Sequence, residues 1–255
     1  MAVIKMNFLS KALRMQTNVT ICLPSFSFAD MMNRGEDVYV PGMKYQVLWL
    51  LHGGSGDDSD YVNFSNIVRY ADVNKIAVVM PADFNASYDD VPGGAAYRTY
   101  VAEELPQMCA AIFPFSTKRE DNFIAGLSMG GGGTGKISIN YPENYAAALI
   151  MSSGGGMQPP RAGMTPRTDP AELRAKAKEN IAQGKQVPKY FVTCGMKDGA
   201  LAGAQYARDF LTEAGYDVFY EEVPGYAHEW DFWDLTLRKA LNEWLPLRHS
   251  AIYPD

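Results

Sequence analysis

Short, nearly continuous apolar runs alternate along the chain with longer stretches of helical periodicity. The apolar runs lie at residues 45–51, 76–80, 122–125, 146–151 and 190–194, and a further strand is expected at 217–223. Such runs are typical of strands buried on both faces of a parallel sheet. Helical patterns lie at residues 62–74, 99–112, 129–140, 170–183, 201–215 and 230–245. This alternation predicts an α/β fold, a mostly parallel central sheet with helices on both faces.

The first residues have a different pattern. Residues 2–9 and 12–23 are both strand-like, and the second run alternates polar and apolar positions until it stops at Pro24. Period-two alternation indicates a half-buried strand, so we expect an N-terminal antiparallel pair. The N-terminus lacks the long apolar core and the small-residue cleavage site of a signal peptide. A cytoplasmic protein is therefore expected, although an exported protein whose signal has been removed stays open.

Length and composition suit a single domain. A chain of 255 residues with 47% hydrophobic and 20% charged residues is ordinary for one large α/β domain. A run rich in Gly, Pro, Met and Arg at residues 154–168 leads into a charged helix. We expect residues 154–185 to form a surface loop, a small cap or an insertion near the site, not a domain boundary.

Charge and cysteine content narrow the class of partner. The net charge of −6 and the lack of a Lys/Arg-rich run argue against a nucleic-acid surface. No apolar stretch approaches the roughly 20 residues that span a bilayer. The three cysteines are odd in number and lie in apolar contexts, which favours buried free thiols in a reducing compartment. The sequence leaves the oligomeric state open, a homo-oligomer included.

A serine in a glycine-flanked turn is the strongest candidate for chemistry. The stretch Asn122-Phe-Ile-Ala-Gly-Leu-Ser128-Met-Gly130 is an apolar run that ends in Gly-x-Ser-x-Gly and precedes a helical pattern. A strand, a sharp turn and a helix in that order expose a serine hydroxyl above a sheet. Side chains at Gly126 or Gly130 would collide with a neighbouring strand or helix. Ser128 is therefore a candidate nucleophile.

A serine hydroxyl needs a base, and the base needs a third group that fixes its tautomer. The chain has three histidines. His52 directly follows a strand in a glycine loop and His249 lies in the tail, which leaves His228, between the strand at 217–223 and the last helix. The acid should follow a strand between the serine and the histidine. Asp198 fits this position, and a cap of the next helix is its alternative role. Asp169 is a weaker candidate for the acid because it precedes Pro170 as a helix N-cap does.

Two backbone N–H groups should face the charge that develops on the substrate oxygen. One is expected from Met129, directly after the nucleophile, and the other from Gly54 in the glycine loop after His52. A different motif, Gly130-Gly-Gly-Gly-Thr-Gly135-Lys136, matches the start of a phosphate-binding loop. Ile137 stands where that motif needs Ser or Thr, and the run overlaps the turn of Ser128, so we reject nucleotide binding. No His/Cys pattern has metal-ligand spacing, and no cofactor is expected.

Four blocks together resemble the Putative esterase family of the α/β-hydrolase superfamily, which includes esterase D. They are Leu51-His-Gly-Gly-Ser-Gly-Asp, Gly126-Leu-Ser-Met-Gly-Gly, Cys194-Gly-Met-Lys-Asp198 and His228-Glu-Trp-Asp-Phe-Trp233. That family includes S-formylglutathione hydrolases, tributyrin and feruloyl esterases, and mycolyltransferases. The resemblance spans about residues 10 to 245, and by it Ser128 is the nucleophile, Asp198 the acid and His228 the base.

The resemblance implies a serine carboxylesterase acting on small-molecule or oligosaccharide esters, with acetyl, butyryl or feruloyl acyl groups. A thioesterase for S-formylglutathione is an alternative, with Arg161 and Arg167 as cations for the glutathione carboxylates, and an acyltransferase is another. Trp230, Tyr97 and Met129 are candidate pocket walls. A non-catalytic carbohydrate-binding relative is disfavoured by the intact Ser/Asp/His set. His228 must be neutral to act as a base, so activity should fall below about pH 6 to 7.

Overall fold

The computed structural model describes residues 1–33, 39–159 and 166–254. Its strands form one sheet in the order β1-β2-β4-β3-β5-β6-β7-β8. Their bounds are β1 Ala2–Ser10, β2 Met15–Leu23, β3 Val47–Leu51, β4 Ala77–Pro81, β5 Asn122–Leu127, β6 Ala147–Met151, β7 Lys189–Gly195 and β8 Val218–Val223. Strands β3 to β8 are parallel to one another, whereas β1 pairs antiparallel with β2, and β2 with β4. The predicted mostly parallel sheet and N-terminal antiparallel pair are confirmed.

Helices cover both faces of this sheet. Their bounds are α1 Phe28–Asn33, α2 Asp60–Phe64, α3 Ile67–Asn74, α4 Tyr97–Thr99, α5 Leu105–Ile112, α6 Met129–Asn140, α7 Pro170–Ala182, α8 Leu201–Ala214 and α9 Trp230–Lys239. Alternate residues of each strand face opposite sides. In β3, Val47, Trp49 and Leu51 belong to the hydrophobic cluster that also contains residues of α5 to α8, while Leu48 and Leu50 belong to the cluster that contains residues of α2, α3 and α9. Among the described residues, no helix combines the length and the apolar character needed to cross a membrane.

The predicted helix at residues 62–74 is divided into α2 and α3. The hydroxyl of Ser65 donates to the carbonyl oxygen of Tyr61 at 2.6 Å, which offers the backbone an alternative to helix continuation. The N–H of Asn66 then donates to Asp234, a residue 168 positions later, at 2.6 Å. The break therefore depends on a distant carboxylate that helical periodicity does not reveal.

The predicted helix at residues 99–112 starts earlier and contains a π-helical turn. This turn, Tyr100–Glu104, joins α4 to α5. Pro106 has no N–H to donate within the helix, and a local change of helix type accommodates such a residue. The carbonyl oxygen of Ala102 instead accepts a hydrogen bond from the Asn144 side chain at 3.0 Å. A second π-helical turn, Ala240–Trp244, follows α9.

The candidate residues follow the carboxyl ends of neighbouring parallel strands. Ser128 follows β5, Asp198 lies after β7, and His228 lies between β8 and α9. Because these strand ends meet at one edge of the sheet, the connections after them converge. Of the segment expected as a cap or insertion, residues 154–159 line a cavity at this edge, residues 160–165 lie outside the described residues, and α7 packs against α6.

Candidate active site

Ser128 occupies a strained turn between β5 and α6. Its backbone has φ +52° and ψ −114°, a conformation that L-residues rarely adopt. A Cβ atom on Gly126 would lie 2.3 Å from the carbonyl oxygen of Gly130, and one on Gly130 would lie 2.2 Å from that of Leu51. Backbone packs against both glycines, so the turn is possible only with this residue pattern. The Ser128 N–H donates to the Met151 carbonyl at 2.9 Å, which anchors the turn to β6.

The three side chains selected from the sequence form one hydrogen-bonded line. His228 Nε2 lies 3.0 Å from Ser128 Oγ, and His228 Nδ1 lies 2.9 and 3.0 Å from the two carboxylate oxygens of Asp198. An ionised carboxylate can only accept, so Nδ1 carries the imidazole proton. Nε2 is then left with its lone pair toward the serine hydroxyl. This is the arrangement in which an imidazole can take the serine proton.

Asp198 has partners besides the imidazole. Its Oδ1 accepts from the N–H of Ala200, the residue directly before α8, at 2.8 Å. Ala200 is the N-cap of α8 and receives no side-chain cap bond, so Asp198 lies in the turn before the helix and does not cap it. Burial tends to raise the pKa of this carboxyl, but hydrogen bonds from Ser152, from Ala200 and from His228 outweigh that effect and lower the pKa. Asp169, the weaker alternative, is the N-cap of α7 and accepts from the N–H of Ala171 at 2.8 Å.

The glycine loop after β3 approaches Ser128. A Cβ on Gly53 would lie 2.6 Å from Leu127 Cδ1 and 3.7 Å from Ser128 Cβ. The N–H of Gly54 donates no backbone hydrogen bond to any described residue. The N–H of Met129, as the first residue of α6, has no acceptor within its own helix. Both predicted donors therefore remain available to a ligand.

His52 is engaged through both ring nitrogens. Its Nε2 accepts from the N–H of Asp83 at 2.8 Å, so its Nδ1 carries the proton and donates to the carbonyl of Gly53 at 2.7 Å. The ring is 1% exposed. It therefore has no free lone pair with which to act as a base.

A cavity of about 870 Å³ opens beside Ser128, Asp198 and His228. Small residues form much of its wall: Ser152, Ser153 and Gly154 after β6, and Ala200, Ala202 and Gly203 at the start of α8. Ligand sites of this kind occupy about 300–1,000 Å³. The described part of the wall contains no lysine or arginine. Its polar side chains are those of Ser128, Ser152, Ser153, Gln158, Asp198 and His228.

Trp230 and Tyr97 are the predicted pocket residues. Neither is in the part of the cavity wall that the structure describes, and Met129 is not in it either. Tyr97 is only 3% exposed and its hydroxyl bonds to the backbone of Phe84, so it has almost no surface for a substrate. The Trp230 ring packs against Tyr61 at 5.4 Å and Phe64 at 5.3 Å between ring centroids. A substrate contact by Trp230 stays a prediction.

The two cations expected for glutathione have different outcomes. Arg167 donates to the carbonyl of Ala86 at 3.1 Å, which ties the chain before α7 to the loop after β4. Arg161 lies outside the described residues. The three cysteines are free and buried, as predicted.

Two features near the site were not anticipated from the sequence. Lys136, the residue of the rejected phosphate-loop motif, lies within helix α6 and forms a buried ion pair with Asp89 at 2.8 Å. Asp89 also accepts from the Thr168 hydroxyl, so the pair joins α6 to the loop after β4 and to the chain before α7. The second feature is the hydroxyl of Ser152, directly after β6. A polar residue at the end of a buried strand was the only local signal for it.

Comparison with known proteins gives matches over almost the whole chain. Residues 10–244 match the Putative esterase family. The acetyl esterase of Caldicellulosiruptor saccharolyticus is 27% identical, over 96% of this chain and 98% of the relative. The solved structure of FphF, a fluorophosphonate-binding serine hydrolase of Staphylococcus aureus, has a TM-score of 0.81 and 28% identity, covering 96% of this chain and 98% of the other.

A second solved structure, the S-formylglutathione hydrolase FrmB of Staphylococcus aureus, has a TM-score of 0.78 and 29% identity, with coverages of 96% and 98%. These likenesses confirm the expected family and fold class. Because the match covers the sheet, the serine turn and the loops after β7 and β8, this protein belongs to the Putative esterase family and is an enzyme with the α/β-hydrolase fold.

Proposed function

We propose that this protein is a serine carboxylesterase in which Ser128 is the nucleophile, His228 the general base and Asp198 the residue that orients the base. One observation carries the proposal. Ser128 Oγ, His228 Nε2, His228 Nδ1 and the Asp198 carboxylate form a continuous line with donor–acceptor distances of 3.0 and 2.9 Å. The strained backbone of Ser128 supports it, because strain of this kind clusters at functional sites.

The geometry supports a two-step reaction. Ser128 Oγ attacks the ester carbonyl carbon while its proton passes to His228 Nε2, which gives a tetrahedral oxyanion. Collapse of that intermediate breaks the bond to the alcohol, which leaves with the proton from His228. The acyl group is then an ester of Ser128. Water, deprotonated by the same imidazole, attacks this acyl-enzyme and releases the carboxylic acid and the free serine.

The oxyanion is proposed to accept hydrogen bonds from the N–H groups of Gly54 and Met129. Both groups lack a competing backbone acceptor in the described part of the chain. Gly53 brings the loop that contains Gly54 against Ser128. Two such donors in a fixed position stabilise the charge without reorganisation during the reaction.

A small acyl or aryl ester is the proposed substrate class. Full-length similarity to an acetyl esterase supports an acyl group of that size. The cavity beside Ser128 leaves room for a larger acyl group, such as feruloyl, or for part of an oligosaccharide. Its described wall lacks cationic groups, which suits an uncharged ester.

Hydrolysis of S-formylglutathione is the second candidate, favoured by the likeness to FrmB. Its two glutathione carboxylates need cationic partners or N–H donors. The described wall supplies neither lysine nor arginine, and the guanidinium of Arg167 already donates to Ala86. We therefore place the ester ahead of the thioester on the described part of this wall, which does not include Arg161.

The test is a comparison of initial rates on p-nitrophenyl acetate, p-nitrophenyl butyrate, methyl ferulate and S-formylglutathione, with Ser128→Ala in parallel. We expect the highest kcat/KM on one of the oxygen esters and no hydrolysis above background by the variant. Labelling by a fluorophosphonate probe should disappear in the same variant. Equal activity of the variant and the native enzyme would refute the serine mechanism, and a higher kcat/KM on S-formylglutathione would select the thioesterase.

Transfer to an alcohol is a separate outcome of the same chemistry. Glycerol or trehalose added to the reaction would yield an acylated sugar or glycerol if the acceptor is an alcohol, and only free acid if it is water. We expect free acid.

We also propose a cytoplasmic location, which the three free buried cysteines support.

A further inference from the structure

A second side chain, besides His228, holds the carboxylate of Asp198. Ser152 directly follows β6, is 1% exposed, and lies in the cavity wall. Its hydroxyl lies beside the Asp198 carboxylate and lowers the pKa of that carboxyl. The same hydroxyl oxygen lies 2.9 Å from the indole Nε1 of Trp233.

The direction of both hydrogen bonds follows from the groups involved. An indole N–H can only donate, so Ser152 Oγ accepts from Trp233. The Ser152 hydroxyl proton is then left for an acceptor on its other side, where the Asp198 carboxylate and the Cys194 sulfur both lie. The carboxylate is the charged and therefore the stronger acceptor, so a line of polar contacts continues from Ser128 through His228 and Asp198 to Ser152 and Trp233.

Trp233 is linked to both members of the Asp198–His228 pair, to His228 directly and to Asp198 through Ser152. Its N–H reaches Asp198 through Ser152, while its ring meets the imidazole of His228 edge to face, with centroids 5.0 Å apart and an interplanar angle of 89°. The Trp233 side chain is itself buried in the face formed by α3 and α9. One rigid indole thus limits movement of the imidazole and of the carboxylate together.

The backbone of Ser152 adds an independent observation. It has φ +51°, in the left-handed region that favours glycine, and its N–H donates to the carbonyl of Thr193 at 2.9 Å. Glycines do occupy left-handed positions nearby, at Gly155 and Gly156. A serine held in this strained conformation places a hydroxyl where glycine would be easier to fold.

We propose that Ser152 and Trp233 are positioning residues for the Asp198–His228 pair, with Ser152 donating to the carboxylate and Trp233 fixing both that hydroxyl and the imidazole. This proposal rests on the proposed function, since it concerns the same reaction. By sharing the negative charge of Asp198, the hydroxyl keeps the carboxylate ionised and in the rotamer that faces Nδ1.

Two other groups also interact with Asp198. The neutral thiol of Cys194 interacts with both Asp198 and Ser152; burial, reinforced by the Asp198 charge, raises its pKa to about 12. The Ala200 N–H donates to Oδ1 from the backbone. Ser152 is the hydroxyl among the described groups that lower the pKa of Asp198, so its removal is the direct test.

The first experiment compares Ser152→Ala with Ser152→Gly. Both remove the hydroxyl, but only glycine relaxes the left-handed backbone. We expect both variants to lose kcat/KM on p-nitrophenyl acetate by a similar factor, roughly tenfold, the order for one hydrogen bond to a charged group. Equal losses would assign the effect to the hydroxyl. A glycine variant with native kcat/KM would instead assign Ser152 a backbone role and overturn the proposal.

The pH profile separates positioning from plain packing. Without the hydroxyl, the charge on Asp198 is less dispersed and stabilises a protonated His228 more strongly. The acid limb of kcat/KM should therefore move to higher pH in Ser152→Ala. An NMR titration of the His228 ring, assigned by its loss in His228→Asn, should move the same way. This readout needs no substrate, so it remains valid even if the proposed esterase function fails, and an unmoved titration would overturn the proposal.

Trp233→Phe tests the outer link. Phenylalanine keeps a ring beside His228 but removes the N–H. The matched control is Trp244→Phe, because the Trp244 indole packs against Phe191 on the same face of the sheet. We expect a loss of kcat/KM in Trp233→Phe and none in Trp244→Phe. In the double variant Ser152→Ala/Trp233→Phe the loss should stay near that of Ser152→Ala alone, because the two act through one hydroxyl. The link would be contradicted if the double variant lost kcat/KM by the product of the two single losses while its thermal unfolding stayed like that of the native enzyme.

Discussion

The imidazole of His52 joins the loop after β3 to the loop after β4, because its Nε2 accepts from the N–H of Asp83 at 2.8 Å. Its Nδ1–H holds the carbonyl oxygen of Gly53 at 2.7 Å. That carbonyl belongs to the same peptide unit as the N–H of Gly54. Since a peptide unit is planar and its C=O and N–H point in opposite directions, fixing the oxygen also fixes the proposed oxyanion donor.

Replacement of His52 should therefore impair turnover although His52 touches no reacting atom. We expect His52→Leu to lower kcat/KM by about tenfold to a hundredfold, less than the roughly 10²–10³ of a deleted oxyanion donor. His249→Leu is the control, because the ring of His249 lies in the C-terminal segment and bonds to Asn74 at the end of α3. Similar kinetics for both variants and the native enzyme would show that the Gly53–Gly54 peptide is held by other means.

The two adjacent glycines of this loop should respond differently to alanine. A Cβ on Gly53 would be only 2.6 Å from Leu127 Cδ1, beside the nucleophile, whereas one on Gly54 meets nothing closer than Asn85 Oδ1 at 3.9 Å. We expect Gly53→Ala to displace the loop and to lower kcat/KM at least tenfold, and Gly54→Ala, which keeps its N–H, to lower it by much less. Steady-state kinetics on p-nitrophenyl acetate gives the ranking, and the reverse order would refute the loop geometry.

The glycines around the nucleophile divide into required and replaceable positions. A Cβ on Gly126 would lie 2.3 Å from the carbonyl oxygen of Gly130, where backbone cannot move away cheaply, so Gly126→Ala should cost more than about 4 kcal/mol of unfolding free energy. At Gly132, inside α6, the nearest atoms lie 4.0 Å away. Gly132→Ala should stabilise by about 0.5–1 kcal/mol. Urea unfolding measures both, and a tolerated alanine at 126 would contradict the close approach.

The buried pair Lys136–Asp89 should matter for stability. Both side chains are less than a tenth exposed, at 8% and 4%, so Lys136→Met leaves an unpaired buried carboxylate and should cost about 3–5 kcal/mol. The pair Lys189–Asp217 is exposed on both sides, and Lys189→Met is the matched control with an expected change within about 0.5 kcal/mol. Equal midpoints of urea unfolding for the two variants would show that the buried pair contributes nothing.

Activity should depend on pH through the imidazole and not through the carboxylate. The pKa of Asp198 is lowered, so Asp198 stays ionised at pH values where ordinary carboxyls begin to take up protons. Protonation of the imidazole then removes the base as the pH falls. The kcat/KM profile should therefore lose activity toward acid pH. A flat profile down to pH 4 would exclude His228 as the base.

The parts of the fold that could be predicted are those set by local pattern. The apolar run before Ser128 and the glycines on either side of it contain the information for strand, turn and helix. Chain order then places the acid after one strand and the base after the next, which led to Asp198 and His228. Each of these inferences uses residues within a few positions of one another or the general topology of parallel sheets.

The parts that could not be predicted depend on contacts between distant residues. The break after Ser65 needs Asp234, 168 positions later than Asn66. The role of Ser152 needs Trp233, 81 positions away. The buried partner of Lys136, Asp89, lies 47 positions earlier. The surroundings of Trp230 and Tyr97 depend on such contacts too: the rings of Tyr61 and Phe64 pack against Trp230, and Tyr97 is 3% exposed. Their contact with a substrate stays a prediction.

The left-handed backbone of Ser128 has a consequence for the evolution of the chain. A non-glycine residue in such a conformation costs on the order of 1–3 kcal/mol, a large share of the 5–15 kcal/mol that holds a typical domain folded. Glycine at this position would give a sturdier protein with no nucleophile. Selection for stability alone would therefore replace the serine by glycine. A serine retained in this turn is expected only where its reactivity is selected at a cost in stability.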